Sequence, residues 1–123
     1  MHYEFITIDV GIKMELSKKN KKTAREVIEK GHQADYAKGL KSFDCVLHEW
    51  KNKTLSHRDA YMKLYDTVKK YDNQIAKRYD RILGSQYLYI LAGQLYDGLI
   101  TMNDLQNFPE EIIDTIKMLA GDE

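Results

Sequence analysis

The sequence has little of what marks several common protein classes: one cysteine and one proline among 123 residues, and a formal net charge of zero. A single cysteine excludes an internal disulfide framework and a CxxC zinc site. The longest uncharged apolar stretch, Tyr87–Tyr96, is too short to cross a bilayer. The start of the chain lacks the pattern of an export signal. We therefore expect a cytoplasmic protein that does not associate with membranes.

The composition is that of a globular protein, with 43% hydrophobic and 31% charged residues, which excludes a disordered acidic or basic tail. Seven glycines and one proline leave long segments without breakers, and this favours helices over many short strands. The first predicted helix begins near Ser17 or Thr23 and ends near Trp50. The second predicted helix runs from Ser56 to Leu83. The short connection between them predicts an antiparallel hairpin.

Each of these two helices carries an apolar stripe with spacings of three and four residues, and we expect the two stripes to face each other. The stripe of the first helix comprises Ile28, His32, Tyr36, Leu40, Phe43, Leu47 and Trp50. The stripe of the second helix comprises Tyr61, Leu64, Val68, Tyr71, Ile75, Tyr79 and Ile82. Gly31 and Gly39 lie within the first helix, where they either break it or permit a close helix crossing.

The remaining carboxyl-terminal region predicts shorter helices. Tyr87–Tyr96 has no charged residue, so we expect a helix buried nearly all round, with Gly98 as its left-handed cap. Thr101 and Asp104 have the spacing of a capping pair, and Pro109 suits the first position of a last helix. The predicted fold class is all-α: a small four- or five-helix bundle built on the long antiparallel hairpin, with one N-terminal β-strand arm. We expect the arm over residues 1–13 and a single helical domain over residues 14–123.

Residues 3–12 alternate β-branched and polar side chains, which is typical of a half-buried strand. No second segment predicts a convincing strand, and a lone strand cannot satisfy its own backbone groups. The segment then pairs with a copy in another molecule, extends as an arm outside any sheet, or precedes a true start at Met14. Our hypothesis is a strand exchanged across a dimer, with an interface that includes Ile6, Ile8 and Val10.

Charge is neutral in sum but divided along the chain. Residues 17–83 hold 17 Lys and Arg against nine Asp and Glu, whereas the remaining residues hold two against ten. A folded hairpin would bring the start of the first helix to the end of the second. The clustered cations would be Lys18, Lys19, Lys21, Lys22, Arg25, Lys77, Arg78 and Arg81. They form either a solvated end, partly neutralised by the acidic last helix, or a contact surface for anions or nucleic acid.

The residue groups that could form a metal-binding or catalytic site are incomplete in this sequence. Glu29 and His32 form one ExxH pair, whereas di-iron sites in helical bundles use two such pairs and two further glutamates. Asp44 and His48 have a chelating spacing but no partners. Cys45 has only His48 as a candidate base, and a small thiol in a helix is more often structural. We predict no catalytic, cofactor-binding or metal-binding residue.

These observations predict a non-catalytic protein-interaction or regulatory module that forms a homodimer or larger oligomer. Tyrosine and tryptophan are enriched at interface hot spots, and nine tyrosines accompany the single tryptophan. Trp50 and Tyr65 are therefore the candidate anchors. The alternative is a nucleic-acid-binding protein that uses the basic end of the hairpin. A small enzyme or ligand binder with a cavity between helices is the third hypothesis.

Overall fold

The structure is a computed structural model that describes residues 3–7, 13–80 and 86–121, with side chains described from residue 16 onward. The predicted helical fold class is confirmed, because four α-helices account for most of this part of the chain. The elements in order are β1 (Tyr3–Thr7), β2 (Lys13–Ser17), α1 (Lys18–Lys51), α2 (His57–Tyr79), α3 (Tyr87–Tyr96), a 3₁₀ turn (Met102–Leu105) and α4 (Glu110–Leu119).

The chain divides into two compact units. Residues 1–32 and 81–123 form the first, which we call the core unit, and residues 33–80 form the second, which we call the hairpin unit. Helix α1 contributes its first half to the core unit and its second half to the hairpin unit. The predicted boundary between an arm over residues 1–13 and a domain over residues 14–123 stays a prediction.

The amino-terminal strand differs from its prediction in one respect. Strand β1 pairs with β2 of the same chain in antiparallel register, which places Tyr3 opposite Ser17 and Ile6 opposite Met14. The expectation that β1 lacks a partner in its own chain is therefore corrected. Residues 13–17 also alternate polar and apolar side chains, and this alternation was hidden by the strong helical pattern that follows it. Ile8 and Val10 lie outside the described residues.

Helix α1 begins directly after β2. The Ser17 hydroxyl accepts a hydrogen bond from the backbone N–H of Asn20 at 3.1 Å, so Ser17 acts as the cap and the alternative start at Thr23 is wrong. The helix then continues to Lys51 without a break at either internal glycine. Helix α2 begins after Ser56, whose side chain accepts from the backbone of Asp59, as the capping spacing predicts.

The carboxyl-terminal elements of the core unit begin and end near the predicted positions. Helix α3 is buried nearly all round, and Gly98 follows it with φ of 73°. The N–H groups of Gly98 and Leu99 bond back to Leu95 and Gln94, which closes the end of the helix. Thr101 and Asp104 form the predicted capping box of the 3₁₀ turn. Pro109 stands one position before α4 rather than within it.

Candidate protein-interaction surface

Three side-chain contacts define the register of the hairpin between α1 and α2. Tyr79 donates to Asp35 at 2.6 Å, and Ser42 and Tyr71 share a hydrogen bond of 2.8 Å. Lys63 donates to Glu49 at 2.9 Å. The contacts pair positions 35, 42 and 49 of α1 with positions 79, 71 and 63 of α2. The residue number rises along one helix as it falls along the other, so the helices are antiparallel. The antiparallel hairpin predicted from the short connection is confirmed.

Asp35 is the buried polar residue of this unit, and its carboxylate is satisfied from two sides. The Tyr79 hydroxyl donates to it at 2.6 Å, and the Arg78 Nε lies 3.0 Å from the same oxygen. A buried carboxylate is tolerated only when such partners replace water. The pairing therefore links the last turn of α2 to one position on α1. This contact opposes sliding of the two helices.

The other end of the hairpin is closed by two aromatic rings. The Trp50 Nε1 donates a hydrogen bond of 2.8 Å to the His57 Nδ1, and the ring centroids lie 6.0 Å apart in an edge-on arrangement. Between them, Lys53 adopts a left-handed conformation with φ of 61°. The connection is therefore tight, and it places the first residue of α2 against the last turn of α1.

The apolar stripes face each other only in part. Phe43 and Tyr71, one from each stripe, pack edge-on with ring centroids 5.9 Å apart. Small and polar residues of α1 also meet α2: a Cβ on Gly39 would lie 3.5 Å from the Tyr71 ring, and Ser42 bonds to the Tyr71 hydroxyl. Close approach on this side leaves much of both stripes in solvent; Leu40 is 63% and Tyr61 is 73% exposed. We call these exposed stripe residues the apolar face, and they are Tyr36, Leu40, Leu47, Trp50, Tyr61 and Val68.

Two grooves run along the apolar face. The first, of about 330 Å³, lies near the turn and is lined by Leu47, Trp50, His57, Ala60, Tyr61 and Leu64. The second, of about 370 Å³, lies farther from the turn and is lined by Gln33, Tyr36, Gly39, Leu40, Phe43, Val68, Tyr71, Asp72 and Ile75. Both are dominated by apolar and aromatic side chains, with few polar groups. A surface of this composition is typical of contacts with other apolar surfaces.

The predicted interface residues are divided by the structure. Trp50 lines the groove near the turn, and its role as an interface anchor stays a prediction. Tyr65 is exposed on α2 but lines neither groove. Ile6 lies in β1, opposite Met14. Most of the apolar face was assigned to the interior by its helical spacing. A second row of residues on α1 could have indicated that the apolar face is exposed, because its small and polar members permit close contact with α2. This row comprises Asp35, Gly39, Ser42 and Val46.

The predicted cationic residues belong to both units. Lys18, Lys19, Lys22 and Arg25 are exposed on the first turns of α1, and Lys21 is half-buried. In the hairpin unit, Lys77 is exposed, whereas Arg78 is engaged with Asp35. Arg81 lies outside the described residues. Binding of anions or nucleic acid by these residues stays a prediction.

One cation of α1 is neutralised by the acidic carboxyl-terminal region within the core unit. The Lys30 amine donates to the Asp104 carboxylate, which also accepts from the Thr101 backbone at 2.7 Å. The Lys30 amine and then the Thr101 N–H hold the pKa of Asp104 below its usual range. The Arg25 guanidinium reaches the Tyr87 hydroxyl at 3.5 Å. The acidic carboxyl-terminal region therefore neutralises part of the positive charge of α1 through the Lys30–Asp104 pair.

The described residues contain no group of three or more His, Cys, Asp or Glu side chains that could hold a metal ion. Cys45, which the sequence places near His48, is exposed on α1. Among the helices that the structure describes, none is both long enough and apolar enough to pass through a membrane.

Comparison with known proteins identifies a fold but not a family. No family model and no curated protein matches the chain. The chain is similar to the solved structure of the Fluorescence Recovery Protein from Synechocystis sp PCC 6803, determined as a single-substitution mutant. The match covers 86% of this chain and 98% of that chain, with a TM-score of 0.71 and 21% sequence identity. At this identity, the match establishes a shared helical fold.

Proposed function

We propose that this protein is a non-catalytic regulatory module that acts by binding other proteins, and that its apolar face binds a second copy of the same chain. The observation that carries the proposal is the exposure of the apolar face. Its six large side chains lie on one hairpin, whereas exposed apolar residues scattered singly over a surface need no explanation.

A second copy fits this face in geometry. An antiparallel pair of helices with one apolar side is half of a four-helix bundle, and an identical hairpin related by two-fold symmetry supplies the other half. Six side chains that each lose on the order of 100 Å² would bury roughly 600 Å² per copy, near the ~800 Å² that each partner contributes to a standard interface. The face is thus large enough for a dimer that does not depend on strand exchange.

The shared fold supports the regulatory part of the proposal. The protein with the similar structure is named for the recovery of fluorescence, which describes an effect on another component. The match spans nearly all of that chain and most of this one. A regulatory role for this chain would use protein contacts, and the apolar face is the best-developed contact surface among the described residues.

The mass of the protein in solution tests self-association. One chain has a mass of 14.4 kDa, and we expect light scattering coupled to size exclusion to give twice that value at micromolar concentration. Tyr61→Glu and Leu40→Glu each place a charge in the centre of the apolar face. Both side chains are largely exposed within one chain, so the variants should keep their helical circular dichroism while their mass falls to that of one chain.

A matched control separates the face from the helix surface in general. Cys45→Glu adds the same charge to α1 at an exposed position that lines neither groove. We expect this variant to keep the mass of the wild-type protein. A wild-type protein with the mass of a single chain at 100 µM would overturn the proposal, as would retention of the dimer in both groove variants.

A further inference from the structure

We propose that the hydrogen bond between Trp50 and His57 makes self-association sensitive to pH, so that protonation of His57 weakens binding of the second copy. This inference rests on the proposed function, since it concerns regulation of the same apolar face. It is carried by the geometry of the groove near the turn, where both rings line the surface that the second copy would cover.

The hydrogen bond uses His57 as the acceptor. The indole Nε1 of Trp50 is a donor only, so the His57 Nδ1 at 2.8 Å must accept. An imidazole that accepts at Nδ1 has its proton on Nε2. Imidazole changes charge between about pH 5 and 8, and both nitrogens of the charged form are donors. Protonation therefore replaces an attractive contact by two N–H groups that point at each other.

A second copy over the groove would enclose the His57 ring among apolar and aromatic side chains. The groove is lined by apolar and aromatic side chains, among which Tyr61 is the other ionisable group. An imidazolium beneath a second copy would lose water without gaining a counter-ion. His57 is also the first residue of α2, where the helix dipole presents its positive end.

Charged groups on the neighbouring elements do not supply the missing counter-ion. Lys51 and Lys53 lie in the last turn of α1 and in the connection, and Arg58 follows His57 on α2. Two acids are near in sequence. Glu49 is held by Lys63 at 2.9 Å, and Asp59 stands two residues after His57 in the first turn of α2. The contacts that the structure describes for His57 include no carboxylate, and cations outnumber acids among the charged residues near it in sequence.

The sign of the effect follows from linkage. A dimer that excludes a proton from His57 binds fewer protons than two separate chains, so association weakens as the pH falls. Each dimer contains two such groups. We expect the dissociation constant to rise by at least about tenfold between pH 8 and pH 5. Trp50 is the single tryptophan of the chain, so its emission reports directly on the loss of its hydrogen bond.

The experiment measures dissociation constants by analytical ultracentrifugation, and Trp50 emission, at several pH values from 8 to 5. His57→Gln cannot be protonated, and we expect its dissociation constant to change less than threefold over this range. His48→Gln is the control: it removes an exposed histidine from α1 instead of α2 and should behave like the wild type. Trp50→Phe keeps an aromatic ring at this position but has no N–H group, and it should show a smaller pH dependence even if His57→Gln fails to fold.

The outcomes separate this inference from the proposed function. A single-chain mass at pH 8 overturns self-association itself. A dimer whose dissociation constant is the same at pH 5 and pH 8 overturns the pH dependence and leaves self-association intact. A pH dependence that persists in full in both His57→Gln and Trp50→Phe shows that another group is responsible, and this also overturns the inference.

Discussion

The core unit buries most of its apolar side chains, whereas the hairpin unit leaves many of its large apolar side chains exposed. Three of the 17 buried hydrophobic residues of the described chain lie in the hairpin unit, and the remaining 14 lie in the core unit. Of the eleven large hydrophobic side chains that are exposed, eight lie in the hairpin unit. Helix α1 belongs to both units, so one continuous helix buries its apolar side chains in its first half and exposes many of them in its second.

This difference is the basis for our proposal that a second copy of the chain covers the hairpin unit. In the core unit, α3 packs against α4, and the Gln94 side chain of α3 donates to the Ile28 carbonyl of α1. The described part of the hairpin unit consists of two helices, and many of their apolar stripe residues are exposed. A surface kept apolar over a whole hairpin is stabilised when a second surface covers it.

The strongest test of this difference compares the loss of stability when one leucine in each unit is replaced by alanine. Leu91 is fully buried in α3, so Leu91→Ala should lower the free energy of unfolding by about 2–5 kcal/mol. Leu40 is 63% exposed, and Leu40→Ala should cost no more than about 0.5 kcal/mol within a single chain. Urea denaturation followed by circular dichroism measures both.

Protein concentration adds the second half of this test. If Leu40 acts through a second copy, the midpoint of wild-type unfolding rises with concentration, and Leu40→Ala reduces that rise. Equal losses for the two alanine variants, independent of concentration, would contradict the assignment of Leu40 to an interface.

The two glycines of α1 give a smaller contrast at matched positions. A Cβ on Gly31 would overlap the side chain of Gln94, which is fully buried and donates to the Ile28 carbonyl at 3.0 Å. Gly31→Ala should therefore destabilise the protein by about 1–3 kcal/mol. Gly39 has ordinary contact distances to Tyr71, so Gly39→Ala should be neutral or stabilise the helix by up to about 1 kcal/mol. Thermal unfolding of both variants checks this, and a loss at Gly39 as large as at Gly31 would contradict it.

Local chemistry made much of the fold predictable from the sequence. Ser56, Gly98 and the Thr101–Asp104 pair act through hydrogen bonds to backbone groups a few residues away, and each cap was predicted at its observed position. Helix α3 was predicted with its observed bounds because ten residues without charge have no face to turn toward water.

The candidate surface depended on contacts between distant residues and was predicted only in part. The spacing of an apolar stripe shows that its residues share a face, but it does not show what covers that face. Close approach at Gly39 and Ser42 lets α2 pack over part of the α1 stripe, at Phe43, while Leu40 stays exposed. Trp50 was recognised for its residue type, whereas Leu40 and Tyr61 were assigned to the interior. The second strand was missed because its alternation is only five residues long.

The ion pairs of the two units provide the finest comparison. The Asp104 side chain is 10% exposed and bonds to Lys30 and Thr101, whereas the Glu49 side chain bonded to Lys63 is 37% exposed. Because the pKa of Asp104 is lowered in the folded protein, its carboxylate stabilises the fold above the pKa of an unfolded aspartate, and this contribution is lost as the pH falls below about 4.

At pH 7, Asp104→Asn should lower the free energy of unfolding by about 1 kcal/mol. Glu49→Gln should change it by less than about 0.5 kcal/mol, because water and salt screen an exposed pair. Urea denaturation at pH 7 and pH 3 checks both values; a difference between Asp104→Asn and the wild type that is as large at pH 3 as at pH 7 would show that the charge of Asp104 does not stabilise the core unit.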